Sequence, residues 1–558
     1  MLRYDMGEAE LRNWIVGEDS FNVQYLAKVE AIMSLGNGYM GVRSCTEESY
    51  PKEIRNCFVA GTFNTSDASE VTELPNIADV TELGIWLDGE NFHLEKGNIE
   101  EYSRTLNLQT GELTRRVLWR NHKENAFELV FRRFVSLHNK HLLGMRVELT
   151  PCTADAEISI RSGVNGQVAN SGAQHFAEGD KSIHDKKIIQ YAATTTNSNI
   201  HVVTHCLHRF IVDDSEVAAE PRLFIERRKV STEHTFLIKA GKTLVFEKIA
   251  NIHTSLDLEH RHRDTAELRE VALDELRLEA SKGYGKLLQD SMKAWQEKWA
   301  AMDILITSLQ EFDQLAIRFA QYHLVIMAPA HDSRFGIAAK GLTGEGYKGH
   351  SFWDTEIFIQ PYFLFSDPGM ARNLAEYRYH TLDGARRKAK ENGYRGAMYP
   401  WESALTGDEV TPEWGPVDVV TGTPTKIWTG LIEQHITSDV AYGVWQYYLA
   451  TGDQHFMDSK GYEVIMETAT FWATRLTWDE DRKRWVIRDV IGPDEYKEHV
   501  DNNAFTNYMA HWNLQTAIAC YEELQHDPSE LWTQLRDRLQ LDQAYEEWKQ
   551  KAENIYLP

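Results

Sequence analysis

The feature that most constrains the fold is a change of hydrophobic period near Asp264. Before it, apolar residues alternate singly: Leu143, Met145, Val147 and Leu149 share one face, with Gly144, Arg146 and Glu148 between them. The same alternation runs through 127–137, 157–160 and 243–252. After it, Leu268, Val271, Leu276 and Leu278, then Leu287, Leu288, Met292, Trp295 and Trp299, recur at helical spacing. A period of two describes a strand with one buried face, and a period near 3.6 describes an amphipathic helix. One chain therefore carries a β half and an α half, and 558 residues are enough for two or three cores.

The β half, 1–262, is expected to be an antiparallel sandwich, because its strands are short and joined by turns such as Ala240-Gly-Lys242. A helical linker is expected over 263–308. Over 309–558 helix signals repeat: 312–327, 369–392 with Asp367 as cap and Pro368 in the first position, 438–450 stopped by Gly452, 462–476, 503–524 and 529–539. No fixed repeat length joins them, which argues against a solenoid and for a toroid of antiparallel helices whose loops rise to one rim.

Charge and composition exclude several classes of partner. Against 59 basic residues stand 84 acidic ones, and a net charge of −25 repels nucleic-acid phosphates and anionic lipid. Residues 1–16 hold no apolar signal core and no later run is long enough for a membrane span, so a cytoplasmic protein is expected. The five cysteines have no Cys-x-x-Cys spacing and are expected to be buried free thiols. Gly344-Glu-Gly-Tyr-Lys-Gly349 fits G-x-G-x-x-G but lacks the strand, helix and ribose-binding acid of a dinucleotide site. His201, His205, Cys206 and His208 suggest metal, yet on a strand His201 and His205 lie about 13 Å apart and His208 faces away. An edge-strand or surface role is expected for them.

Three loops carry the candidate chemistry. In Phe352-Trp-Asp-Thr-Glu356, Trp353 offers a flat face to a sugar ring and Asp354 can accept from adjacent hydroxyls, although an Asp before an apolar run is also an ordinary helix start. Tyr399-Pro-Trp401-Glu402, followed by Asp408, Glu409 and Glu413, repeats that chemistry, with Lys340, His350 and Arg395 as nearby cations. Ile491 to Asn503 places Asp494 and Glu495 after Gly492-Pro493, so these acids are presented from a turn rather than from a helix face. Caps and solvated faces are the bland alternative. Two aromatic and acidic loops plus this turn point to a carbohydrate site.

These motifs, with Leu35-Gly-Asn-Gly-Tyr-Met-Gly-Val-Arg43, Lys340-Gly-Leu-Thr-Gly-Glu-Gly-Tyr347 and Val500-Asp-Asn-Asn503, closely resemble glycoside hydrolase family 65, the disaccharide phosphorylases. The resemblance implies a β-sandwich, a helical linker and an (α/α)6 barrel. It makes Glu495 the general acid, Trp353 and Asp354 contacts of the donor glucose with His350 close by, and Tyr399, Trp401, Glu402 and the loop through Glu409 to Glu413 the acceptor side. The 399–412 sequence is similar to the kojibiose phosphorylase branch. Inorganic phosphate is the implied co-substrate, with no metal or organic cofactor and a homodimer as the implied assembly. The family pattern continues past Pro558 with Lys-Gln-Ala/Gly-Asp and His-x-Ser-Ser segments associated with phosphate, so the barrel is expected only in part.

A phosphorylase needs one carboxylic acid, since phosphate is already an anion and attacks without a base, whereas an inverting hydrolase needs a second carboxylate. The expected reaction is inverting phosphorolysis of an α-linked glucose disaccharide to β-glucose 1-phosphate. Asp494, Glu498 and burial against Tyr496 are the means available for raising the pKa of Glu495. The alternatives are another acceptor (nigerose, maltose, trehalose or glucosylglycerol), a hydrolase using Glu402, Glu409 or Glu413 as base, and a catalytically impaired carbohydrate-binding fragment.

Overall fold

A computed structural model describes residues 2–51, 53–68, 70–526 and 528–558. The chain divides into two units, the first made of Met1–Ser66, Leu74–Ala328 and Lys340–Gly346, the second of Asp67–Glu73, Pro329–Ala339 and Tyr347–Pro558.

In the first unit an 11-stranded antiparallel sheet has Ala126–Val135, Leu142–Pro151, Leu244–Thr254, His201–Val212 and Ile188–Thr194 side by side at its centre. A second sheet of five strands contains Lys229–Ile238, Ala156–Asn165 and Leu83–Leu87. Their facing side chains, among them Phe131, Val147, Cys206 and Phe246 from one and Ile85, Ile158, Ile160 and Val230 from the other, form one core. This is the expected sandwich.

The helix Thr265–Ala280 starts on a capping box between Asp264 and Glu267. Its Leu273 and Leu276, with Tyr284 and Leu287 of the next helix, cover Phe134, Leu142, Ile188 and Ile249 on the outer face of the large sheet. Central strands are thus apolar on both faces. Leu278, counted from its spacing as part of the buried stripe, is instead 64% exposed, because the stripe follows Leu268, Ala272, Leu273, Leu276 and Ala280.

This covering also corrects the edge-strand reading of the histidines. His201–Val212 is a central strand, and His201, His205, Cys206 and His208 are all buried. Hydrogen bonds make that tolerable: His205 contacts Asn251 Oδ1 at 3.2 Å and Gln190 Oε1 at 3.0 Å, and His208 contacts Thr232 Oγ1 at 3.2 Å. Burial brings His205 down to about 4, so it packs as a neutral ring. All five cysteines are free, but Cys152 is exposed rather than buried because it sits in the turn after Leu142–Pro151.

The second unit is helical. Ile436–Thr451, Tyr462–Arg475 and Ala504–His526 pack on one another through Val440, Ile465, Phe471, Trp472 and Leu514, all fully buried. Gly452, in the left-handed conformation at φ 65°, ends the first of them. The single helix expected over 369–392 is two, Pro368–His380 and Leu382–Glu391. At the break the Thr381 hydroxyl donates to the carbonyls of Tyr377 and Arg378, a back-bond that bends helices. A last helix, Leu541–Asn554, was not anticipated; its Leu541, Ala544 and Trp548 are buried.

Candidate active site

One buried guanidinium joins the first two motif loops. After Asp354 the chain enters a π-turn, Thr355–Ile359, and the Asp354 side chain makes no capping bond, so its carboxylate is not consumed by the helix start. Glu356 points inward and takes two bonds from Arg378, at 2.6 and 2.8 Å. The same Arg378 donates to the Phe352 carbonyl at 2.8 Å and to the Ser403 hydroxyl at 3.0 Å. Ser351 and Ser403 add reciprocal backbone bonds of 2.9 Å. A bidentate buried pair fixes geometry as well as energy, which is why these loops meet although fifty residues separate them.

Within the 399–411 loop the acids divide by role. Tyr399 is fully buried, its hydroxyl donating to the Arg378 carbonyl at 2.7 Å, so it supports the loop from behind. Glu409 accepts from the backbone of Trp401 at 2.9 Å and of Glu402 at 3.3 Å, from the Thr411 hydroxyl at 2.7 Å, and from Lys388. Burial pulls its pKa up, but the Lys388 charge and these bonds outweigh burial and hold it below the usual carboxylate value. Glu409 is a fastener. Glu413 pairs with Lys426. Glu402 faces His350, whose Nδ1 lies 2.7 Å from its Oε2 while Nε2 lies 2.7 Å from the Thr72 carbonyl. Burial raises the Glu402 pKa against that contact.

The centre of the site is His435, which the motif reading overlooked. Its ring meets those of Trp353 at 4.8 Å, Phe505 at 5.1 Å and Trp401 at 5.5 Å, all edge to face. Its Nδ1 is 2.6 Å from Asp439 Oδ2 and its Nε2 is 3.3 Å from Glu433 Oε1, and all three side chains are fully buried. Burial opposes the charge, yet the two carboxylates prevail and lift the His435 pKa to about 9. An imidazolium thus sits between the rings of Trp353 and Trp401. Burial, with some help from the charge of Glu495, pushes Glu433 up to about 7.

Glu495 comes from a turn pinned at its base. Val490 and Val500 exchange backbone bonds of 3.0 and 2.9 Å, and Asn502 N donates to the Ile487 carbonyl at 2.7 Å. Gly492 is required there, since a Cβ would lie 2.2 Å from the Asn503 side chain that caps Ala504–His526. The Glu495 pKa is raised by burial first, lowered by His435 and raised again by Asp354. The expected neighbours do not supply this. Tyr496 is 98% exposed, so nothing is buried against it, and Asp494 closes the turn by accepting from Tyr496 N at 3.3 Å. The like charge that acts is Asp354, from the other end of the sequence motif set.

Residues 16–298 match the N-terminal domain of glycosyl hydrolase family 65, and residues 318–558 match its central catalytic domain. The chain belongs to glycosyl hydrolase family 65. Among its curated family 65 relatives, the kojibiose phosphorylase of Halothermothrix orenii is 48% identical over 100% of this chain and 72% of the relative. That of Escherichia coli is 39% identical over 90% of this chain and 65% of its own length. The α,α-trehalose phosphorylase of Thermoanaerobacter brockii is 30% identical over 98% of this chain and 71% of the relative. A solved structure of a kojibiose phosphorylase candidate from the human microbiome shares the fold, with TM-score 0.86 at 21% identity, over 98% of this chain and 70% of that one.

In this family 65 chain the structure thus brings Trp353 and Trp401 against His435 and Glu495 under the charges of His435 and Asp354, places His350 behind Glu402, and sets the buried Tyr399 and the partly exposed Glu409 in the frame. Among the described residues of this site, no three His, Cys, Asp or Glu ligand atoms converge within 4.8 Å. Arg378, Glu433, His435, Asp439 and Phe505 escaped the motif reading. His435 and Asp439 had a signal, since a His and an acid four apart at a helix start face each other.

Proposed function

We propose that this chain catalyses inverting phosphorolysis of an α-linked glucose disaccharide of the kojibiose type, releasing β-glucose 1-phosphate and the acceptor sugar. The observation that carries it is Glu495, a carboxyl of raised pKa whose electrostatic partners are Asp354 and the same His435 on which Trp353 and Trp401 converge. Trp353 and Asp354 take the donor glucose, and Trp401 and Glu402 the acceptor, with His350 orienting Glu402. Glu495 gives its proton to the glycosidic oxygen as the C1–O bond breaks. A phosphate oxygen forms the new bond to C1 from the opposite face, which inverts α to β, and the acceptor leaves as an alcohol. A raised pKa favours the protonated form of Glu495 for that step, and a phosphate anion needs no base. We assign the catalytic role to 309–558, after a sandwich over 1–262 and a linker over 263–308, in a cytoplasmic enzyme with no organic cofactor.

The 48% identity to a kojibiose phosphorylase over the whole chain favours that linkage over the alternatives. Of the three carboxylates a hydrolase could use as base, Glu409 and Glu413 are held by Lys388 and Lys426, which disfavours hydrolysis. The test is incubation with phosphate and, separately, kojibiose, nigerose, maltose, trehalose and glucosylglycerol, with anomer-resolved assay of glucose 1-phosphate. β-Glucose 1-phosphate formed fastest from kojibiose supports the reading. Free glucose released equally fast without phosphate overturns it.

A further inference from the structure

Far from the motif loops in sequence, the first unit buries three histidines and an aspartate together: His141, His253, Asp257 and His260. One ligand atom from each lies within 4.8 Å of every other. They come from three places, the turn before Leu142–Pro151, the end of Leu244–Thr254, and the connection that leads into Thr265–Ala280. We propose that these four residues form a structural site for a divalent transition metal of the zinc class, joining the large sheet to the start of the helical linker.

The orientation of the rings is the main argument. His253 Nδ1 and His260 Nε2 share a hydrogen bond at 3.0 Å, close to the spacing of two ligands on one tetrahedral zinc, so a metal would take the place of the shared proton. His141 Nδ1 is 4.0 Å from Asp257 Oδ2, and the His141 and His253 rings stack at 3.8 Å. The opposite nitrogens face carboxylates: His141 Nε2 lies 3.1 Å from Glu259 Oε1, and His253 Nε2 lies 3.5 Å from Glu275 Oε2. For His141 that is the outer shell a metal-binding imidazole uses, donating its second N–H to an acid and so turning its lone pair inward; His253 Nε2, which also lies 3.2 Å from the donor Asn251 Nδ2, takes that role toward Glu275 once that amide turns away. Asp257 is itself oriented by Tyr39 Oη at 3.1 Å and by the backbone and hydroxyl of Thr254 at 2.9 and 3.0 Å.

The ligand types agree. Three imidazoles with one carboxylate suit zinc, cobalt or nickel rather than calcium or magnesium, which take oxygen ligands. The metal-free protein has its own hydrogen bonds to offer: the Ile252 carbonyl is 2.9 Å from His141 Nδ1, and His253 Nδ1 is bonded to His260 Nε2 at 3.0 Å. Binding must displace both, which makes affinity the deciding measurement.

The test uses the whole chain without a histidine tag, stripped with chelator and titrated with Co2+ and then Zn2+. One Co2+ per chain with the intense visible bands of a four-coordinate nitrogen-rich site, bleached by one Zn2+, supports the proposal. His253→Asn and Asp257→Asn are expected to remove the bands. Glu275→Gln, at a partly exposed outer-shell position, is expected to fold normally and to weaken Co2+ roughly 10-fold. Substoichiometric binding by the wild-type chain, or unchanged affinity in His253→Asn with native circular dichroism, overturns it. Equal affinity in Glu275→Gln and wild type overturns the outer-shell argument on which it rests.

Discussion

The loop at 399–411 and the turn at 491–503 are alike as text and opposite as structure. Both carry acids next to aromatic residues and prolines. In the first, Glu409 is bonded by three backbone N–H groups, a hydroxyl and Lys388, and its pKa falls. In the second, Glu495 belongs to a turn fastened at its base, meets Asp354 through space, and its pKa rises. A carboxylate satisfied on every side is a rivet. One raised in pKa by burial and a like charge holds its proton to higher pH than a free carboxyl does and can give it away. The difference lies in what the rest of the fold brings to each acid.

If that contrast is right, replacing the proton donor should do the largest damage. Glu495→Gln is expected to cut kcat for phosphorolysis by at least ~10³-fold while leaving the melting temperature nearly unchanged. Comparable activity in that variant would remove Glu495 from the acid role. Asp354→Asn should lower kcat/KM by about 100-fold through lost donor contacts. It should also shift the basic limb of the pH profile to lower pH, because removing a like charge lets Glu495 ionise earlier. A limb that stays put would mean that Asp354 does not set the Glu495 pKa.

The fastener should answer in stability instead. Glu409→Ala leaves Lys388 buried without its partner and is expected to cost about 3 kcal/mol in urea unfolding, read as a lower midpoint. Because the Glu409 pKa is depressed by folding, its contribution is present above its unfolded pKa and is lost as pH falls through the folded value.

His435 separates the two regions by pH. Its folded pKa of about 9 lies above the ordinary 6.5, so its stabilisation is complete below 6.5 and disappears as pH rises through 9. Unfolding free energy should fall over that window by on the order of 3 kcal/mol, and His435→Asn should flatten the dependence. The smallest expected effect is Tyr399→Phe. It deletes one hydrogen bond to the Arg378 carbonyl, about 1 kcal/mol of stability, and should leave the pH profile where it was.

Much of this was legible in the chain. The alternation at Leu143 to Leu149 and the helical spacing from Leu268 onward marked the two halves, because burial of one face writes its period into the sequence. The cap at Asp367 and the stop at Gly452 were readable because a helix end needs a specific local donor, acceptor or backbone conformation. The histidines of His201–Val212 were misplaced for the opposite reason. Whether a strand is central depends on partners dozens of residues away, and Asn251, Gln190 and Thr232 are invisible in local pattern. The break at Thr381 was likewise hidden, since a threonine hydroxyl can cap, bend or simply face water.

By itself, then, the sequence determined which residue types were available to a sugar site and on which loops they lay: Trp353, Asp354, Trp401, Glu402 and Glu495. Only the tertiary structure decided their division of labour. Arg378 joins the 352 and 399 loops, Lys388 turns Glu409 into a tie, and Asp354 with burial readies Glu495. The physical reason is that the chemical identity of an acid is local, but its pKa and freedom are set by charges and low-dielectric surroundings that folding assembles from distant parts of the chain.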